Sequence, residues 1–231
     1  MIHPTSVGIT GREVFATPTN KEVFDEIAES WYRFRHGSRF TKELEDMAAR
    51  WQSGKLLNIG CAHGPDFLPF KNDFELYGVD FSSHMLKLAQ KYAAKFNLKV
   101  KLALADATSL PYPDNSFDCA IAAAVYHNIQ GEKQRLEAFQ ELRRVLKPGG
   151  EAFVTVWNKW QPRFWLRSKE VNIPWKTSRK TYYRYYYLFS YSELSSLLTR
   201  TGFEIVSIFP ENSYRFRLKL LSDNICVLVK K

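Results

Sequence analysis

The chain has 231 residues, 45% hydrophobic and 25% charged, the profile of a soluble protein with a substantial core. Its length favours one domain over residues 1–231. No apolar run reaches the ~18 residues of a membrane span, and Met1-Ile2-His3-Pro4 does not begin a secretory signal, so a cytoplasmic location and no membrane partner are expected. A net charge of +9 and a pI of about 9.4 favour a polyanionic partner such as RNA over a small neutral substrate, while three scattered cysteines suggest neither a disulfide framework nor a metal site.

Residues 1–54 read as an arm followed by helices. Residues 1–18 lack periodicity and are expected to form a loose arm. Thr19 and Glu22 have capping-box spacing. Phe24, Ile27, Ala28, Trp31 and Phe34 then fall on one helical face. Arg33, Arg35 and Arg39 follow near its end, where cations suit the helix dipole. A second helix is expected from Thr41 to Trp51, before Gly54.

From here apolar runs alternate with helical patterns. Strands are expected near 55–60, 74–79, 98–105, 117–124 and 150–157, and helices near 64–70, 82–96 and 131–147. Asn58-Ile-Gly-Cys-Ala-His-Gly64 follows the first strand, and its glycines allow a tight turn and a close backbone approach to a ligand. Cys61 within it is a small turn residue or, as the less favoured alternative, a nucleophile. Ser82 is an N-cap before a stripe of Met85, Ala89, Tyr92 and Phe96. Such alternation implies a parallel sheet with helices on both faces, and ligands bind at the carboxyl ends of its strands. Asn58, Asp80, Asp106 and Ala123 to His127 all lie at such ends.

Residues 158–189 interrupt the alternation. Residues 158–187 hold Lys159, Arg163, Arg167, Lys169, Lys176, Arg179, Lys180 and Arg184 against Glu170 alone, seven of the nine net charges. Trp160, Phe164, Trp165, Trp175, Tyr182 and Tyr183 are interleaved. Bases can stack on such rings while the cations meet phosphates; the alternative is a cationic surface whose rings pack inward. After it, Ser190 and Glu193 start a helix with Leu194, Leu197 and Leu198 on its apolar face and Gly202 as its stop. Residues 203–209 and 225–229 read as two further strands.

The ordered set of the glycine turn, Tyr77-Gly78-Val79-Asp80, Ala105-Asp106-Ala107, Phe117-Asp118 and Leu146-Lys147-Pro148-Gly149-Gly150 resembles the class I S-adenosylmethionine-dependent methyltransferases over nearly the whole chain. The resemblance implies a doubly wound α/β fold, Rossmann-like, whose mostly parallel seven-stranded sheet has a closing antiparallel strand. It implies S-adenosyl-L-methionine as cofactor. Gly60, Ala62 and Gly64 would then lie under its amino-acid tail, Asp80 on the ribose hydroxyls, and Asp106 and Ala107 at the adenine, with Ala123 at the end of the fourth strand. Helix capping or turn formation is the alternative for both acids. The family has an acid where Asn58 stands; an amide can accept from the donor's ammonium but lacks the charge.

A narrower resemblance runs through Val23 to Ala28, Phe34-Arg35, Ala124-Val125-Tyr126-His127, Val156-Trp157, Ile173-Pro174-Trp175 and Arg184-Tyr185-Tyr186-Tyr187-Leu188-Phe189. These segments are similar to the tRNA wobble-uridine carboxymethyl methyltransferases, which include a fungal enzyme and a domain fused to an AlkB-type dioxygenase in animals. That family esterifies 5-carboxymethyluridine to 5-methoxycarbonylmethyluridine. A carboxylate with a pKa near ~4 is ionised at neutral pH, so the site needs no base and must chiefly position the anion. Arg35 and Arg184 are candidate clamps, His127 a further donor, and Tyr186 and Trp157 candidate walls for a flipped uracil. The family's second histidine is Asn128 here, and the insertion is shorter than in the fungal enzyme. The resemblance also implies a small zinc-binding activator subunit at the sheet edge, where Val100, Leu102 and Leu104 form an apolar row. Rival readings are a methyltransferase of a small lipophilic molecule and a non-catalytic RNA-binding protein of this fold.

Overall fold

The computed structural model describes residues 18–211 and 222–231. The arm expected over residues 1–18 lies, but for its last residue, outside the described residues. Two helices come first, α1 (Asn20–Phe34) and α2 (Thr41–Trp51). Thr19 and Glu22 close the expected capping box on α1. Val23, Phe24, Ile27 and Ala28 are buried against Met85 and Leu88. Phe34, expected on that stripe, is 69% exposed, because the last turn of α1 runs past the core and over a cavity.

Then come β1 (Gly54–Ile59), a 3-10 helix (Pro65–Phe70), β2 (Phe74–Asp80), α3 (Ser83–Phe96), β3 (Val100–Leu104), β4 (Phe117–Ala123), α4 (Glu132–Val145) and β5 (Leu146–Trp157). After β5 the chain forms β6 (Glu170–Lys176) and β7 (Thr181–Tyr187), then α5 (Tyr191–Arg200), β8 (Glu204–Pro210) and β9 (Asn224–Lys230). Ser82 caps α3 by accepting from the Met85 amide. Ser190 caps α5 in the same way, but Glu193 does not complete a box; its carboxylate takes the Tyr187 hydroxyl and the Lys169 ammonium instead.

Among the described residues seven strands form one sheet in the order β3-β2-β1-β4-β5-β9-β8. The pairs among β1 to β5 are parallel, and β9 runs antiparallel to both β5 and β8. The expected antiparallel closing pair is β9 and β8, with β9 beside β5 and β8 at the edge. β4 and residues 152–156 of β5 are almost continuously buried, as strands covered on both faces must be. One core layer gathers Phe139, Leu142, Leu194 and Leu198 from α4 and α5; the other gathers Leu44, Met47, Phe67 and Phe70 from α2 and the 3-10 helix. No helix among the described residues is long and apolar enough to cross a membrane.

The chain leaves β1 outward to β2 and β3, then returns to β4 on the other side of β1. That reversal opens a crevice at the carboxyl ends of β1 and β4. The basic aromatic segment, expected only as an interruption, contains a separate antiparallel hairpin, β6–β7, that stands over this crevice.

Candidate active site

A cavity of about 1320 Å³ lies at the strand ends. Its floor is the turn after β1. Gly60 has φ +64°, and a Cβ there would come within 2.5 Å of Val125, so the turn packs directly on the segment after β4. Ala62 is left-handed as well, at φ +46°, and Asp80 fixes it. The Asp80 carboxylate accepts from the Ala62 amide at 2.8 Å and from the Ser82 amide at 2.9 Å. Each oxygen keeps a lone pair for a ligand hydroxyl. Burial pushes the Asp80 carboxyl up to about 6, against those two amide bonds.

Asp106, Ala107 and Ala123 also reach the wall. One Asp106 oxygen holds the Thr108 amide and hydroxyl, the turn role weighed for it, which leaves the other oxygen for a ligand. Asn58 and Gly64 are not on the wall. Asn58 is fully buried within β1, its amide oxygen and nitrogen without partners. A Cβ on Gly64 would face Phe67 and Tyr92, toward the core.

The roof comes from the hairpin and the end of α1. On a strand, residues two apart share a face, so Tyr182, Arg184 and Tyr186 point the same way. Arg184 donates to the Tyr186 hydroxyl at 2.9 Å. Its guanidinium lies 5.0 Å from the Trp175 ring centre and 5.5 Å from Trp31. Arg35, past the end of α1, covers the other face of this region, 4.8 Å over Trp31. Among the described residues neither guanidinium has a carboxylate within 4.0 Å, and the Nε of each is buried without a partner. Burial is the largest influence on both and lowers both pKa values. Two desolvated cations facing one cavity make a site for an anion.

His127 is buried, and its ring stacks on Tyr186 at 4.8 Å. Its Nδ1 accepts from the Trp157 amide at 3.1 Å, so the neutral ring carries its proton on Nε2. Burial, and then Arg184, hold its pKa down at about 3. It is a neutral donor, not a cation. Trp157 lines the cavity 4.3 Å from Tyr186. Arg35, His127, Trp157, Arg184 and Tyr186 are thus brought together.

Three contributions were not foreseen from the sequence. Asn20 latches the roof: its amide donates to the Asn128 and Tyr185 carbonyls and accepts from the Tyr185 amide. Ser30 and Glu26 of α1 accept from Trp175 and Tyr182. Asp66, two residues past the glycine turn, reaches the wall. The acid beside the turn was a visible signal for Asp66. The Asn20 latch depends on contacts across more than a hundred residues, which no local pattern carries.

The segment's cations divide. Arg184 is inside, Lys159 donates to the Phe164 and Arg167 carbonyls, Arg163 lies on Trp157 and Phe164, and Lys169 meets Glu193. Arg167, Lys176, Arg179 and Lys180 remain exposed, beside exposed Trp165 and Tyr183.

Residues 57–154 match a family described as a methyltransferase domain. The chain is 30% identical over 156 residues to a mouse protein named tRNA (carboxymethyluridine(34)-5-O)-methyltransferase ALKBH8, covering 65% of this chain and 22% of that one. It is 35% identical over 121 residues to phosphoethanolamine N-methyltransferase 3 of Arabidopsis thaliana, covering 52% of this chain and 24% of that one. It therefore spans less than a quarter of the length of these relatives. Among solved structures, an S-adenosylmethionine-dependent methyltransferase from Clostridium acetobutylicum superposes with a TM-score of 0.71 at 14% identity, covering 90% of this chain and 98% of that one. The glycine turn and the wall carboxylates Asp66, Asp80 and Asp106 fit a ligand that is a nucleoside with a charged tail. Residues 57–154 thus match a methyltransferase domain, the fold is that of the class I S-adenosylmethionine-dependent methyltransferases, and S-adenosylmethionine is the cofactor.

Proposed function

We propose that this chain methylates the carboxylate of 5-carboxymethyluridine at the wobble position of tRNA, giving the methyl ester. The observation that carries the reading is the pair of guanidiniums lining one cavity, buried Arg184 and half-buried Arg35, neither with an ion-pair partner among the described residues. The relatives' names give two acceptors, a uridine carboxylate and phosphoethanolamine, whose phosphate is also an anion. Either anion completes the two cations, and the rings of Tyr186 and Trp157 beside them favour a carboxylate borne on a base.

Bound S-adenosylmethionine supplies an electrophilic methyl group on a sulfonium. The residues of this chain then have only positioning to do. Asp80 holds the ribose end, with Gly60 and Ala62 beneath the tail and Asp106, Ala107 and Ala123 near the base. Arg184 and Arg35 grip the acceptor carboxylate, the His127 Nε2 proton adds a donor, and Tyr186 and Trp157 flank the uracil. No proton leaves the acceptor, which is consistent with a neutral His127 and the absence of a required base. The exposed cations and rings of the 158–187 segment suit phosphates and bases of an anticodon loop.

The experiment is nucleoside mass spectrometry of tRNA carrying 5-carboxymethyluridine after incubation with the protein and S-adenosylmethionine. Gain of one methyl on that nucleoside is expected; an unmodified acid beside methylation of another nucleoside contradicts the reading. A zinc-binding activator subunit is proposed on the β3 edge, supported by the edge position of β3 and by Leu104, 57% exposed. Co-purification lost in Leu104→Lys is the expected outcome; unchanged co-purification removes β3 as the docking edge.

A further inference from the structure

Asp66 lines the cavity, yet the roles assigned above leave it no task. It stands in the first turn of the 3-10 helix Pro65–Phe70, directly after the glycine turn. Burial raises its pKa, while the Ser38 hydroxyl and, more weakly, the Arg35 guanidinium oppose that. No cation lies within 4.0 Å of it among the described residues. It is a carboxylate facing the cavity with no ion-pair partner.

S-adenosylmethionine has one group that calls for such a carboxylate, the α-ammonium of its amino-acid tail. Three other carboxylates reach the wall, and each is placed for something else. Asp80 ends β2 and holds two backbone amides. Asp106 lies beyond β3 and holds Thr108. Glu170 begins β6, on the roof. Asn58, the expected partner for the tail, carries no charge and is off the wall. We propose that Asp66 takes the ammonium of S-adenosylmethionine, replacing the acid that Asn58 does not provide. The inference rests on the methyltransferase reading of the fold. It makes Asp66 a determinant of tail recognition, the ammonium supplying the ion-pair partner that this carboxylate lacks among the described residues.

Calorimetry with two ligands tests it. S-adenosylhomocysteine has the tail; 5′-methylthioadenosine has the same adenine, ribose and thioether without the ammonium. Asp66→Asn is expected to weaken S-adenosylhomocysteine by roughly 10- to 100-fold, the range for one charged hydrogen bond, and to leave methylthioadenosine unchanged. Equal weakening of both ligands makes Asp66 a structural residue of the turn and overturns the inference. So does unchanged binding of both. If the unsubstituted protein binds neither, the methyltransferase reading falls and the inference with it.

Discussion

The floor of the cavity and its roof are held by different means. On the floor, backbone does the work: Asp80 is fixed by two main-chain amides, the Gly60 turn packs on Val125, and the whole rests on parallel strands buried on both faces. On the roof, side chains hold side chains: Arg184 leans on Tyr186, Trp175 and Trp31, and the hairpin docks on α1 through Ser30, Glu26 and Asn20. A floor made of backbone serves any nucleoside cofactor of this kind. A roof made of side chains can be changed residue by residue, and the proposed function puts the choice of methyl acceptor there.

Substitutions on the two sides should therefore fail differently. Asp80→Ala removes the proposed ribose acceptor and frees the Ala62 turn. Cofactor affinity is expected to fall by ~100-fold or more, from the loss of two hydrogen bonds to a charged group, and calorimetry with S-adenosylhomocysteine reads it. Asn20→Ala acts on the roof alone. It leaves two carbonyls and one amide of the hairpin and the 126–128 turn short of a partner, and kcat/KM for tRNA is expected to drop roughly 10-fold with cofactor affinity unchanged. A parallel loss of cofactor affinity would show that floor and roof are not separable.

Acidity should act more gently, on both sides at once. Burial holds His127 at about 3 and His63 at about 4, below the ordinary value near ~6.5. Their stability is complete above that value and is lost as pH falls toward the folded ones. Asp80, raised to about 6, works in the opposite sense: its contribution is present below ~4 and lost as pH rises through its folded value. Asp66, also raised by burial, acts in the same sense as Asp80, while Asp25, Asp118, Glu141 and Glu151, held down by their hydrogen-bond partners, act with the histidines, so the melting temperature is expected to be lower near pH ~5 than near pH ~7.5. Methyl transfer should show no histidine inflection between those values.

The floor was legible in the sequence because it is local. A short apolar run, a glycine turn and an acid about one strand later are read from neighbours along the chain, and the places of Asp80 and Asp106 at the ends of successive strands follow. Arg35, His127, Arg184 and Tyr186 were reachable only through likeness to a family. Their meeting depends on a hairpin that the sequence reading took only as a basic aromatic interruption, and on its position over the crevice. Phe34 shows the limit of periodicity: it lies on the apolar face of α1, and the core ends before reaching it. Asn58 shows another, since a motif position gives the residue type but not whether its side chain reaches the cavity.

The most direct test of an anion-selecting roof compares two acceptors and two proteins. Methyl transfer is measured to tRNA carrying 5-carboxymethyluridine and to the same tRNA carrying the neutral amide, with the unsubstituted chain and with Arg184→Met. The expected result is transfer to the acid alone, as a methyl group released by mild alkali, and its loss in Arg184→Met while S-adenosylhomocysteine still binds as before. Transfer to the amide at a similar rate, or an alkali-stable methyl group, would contradict it.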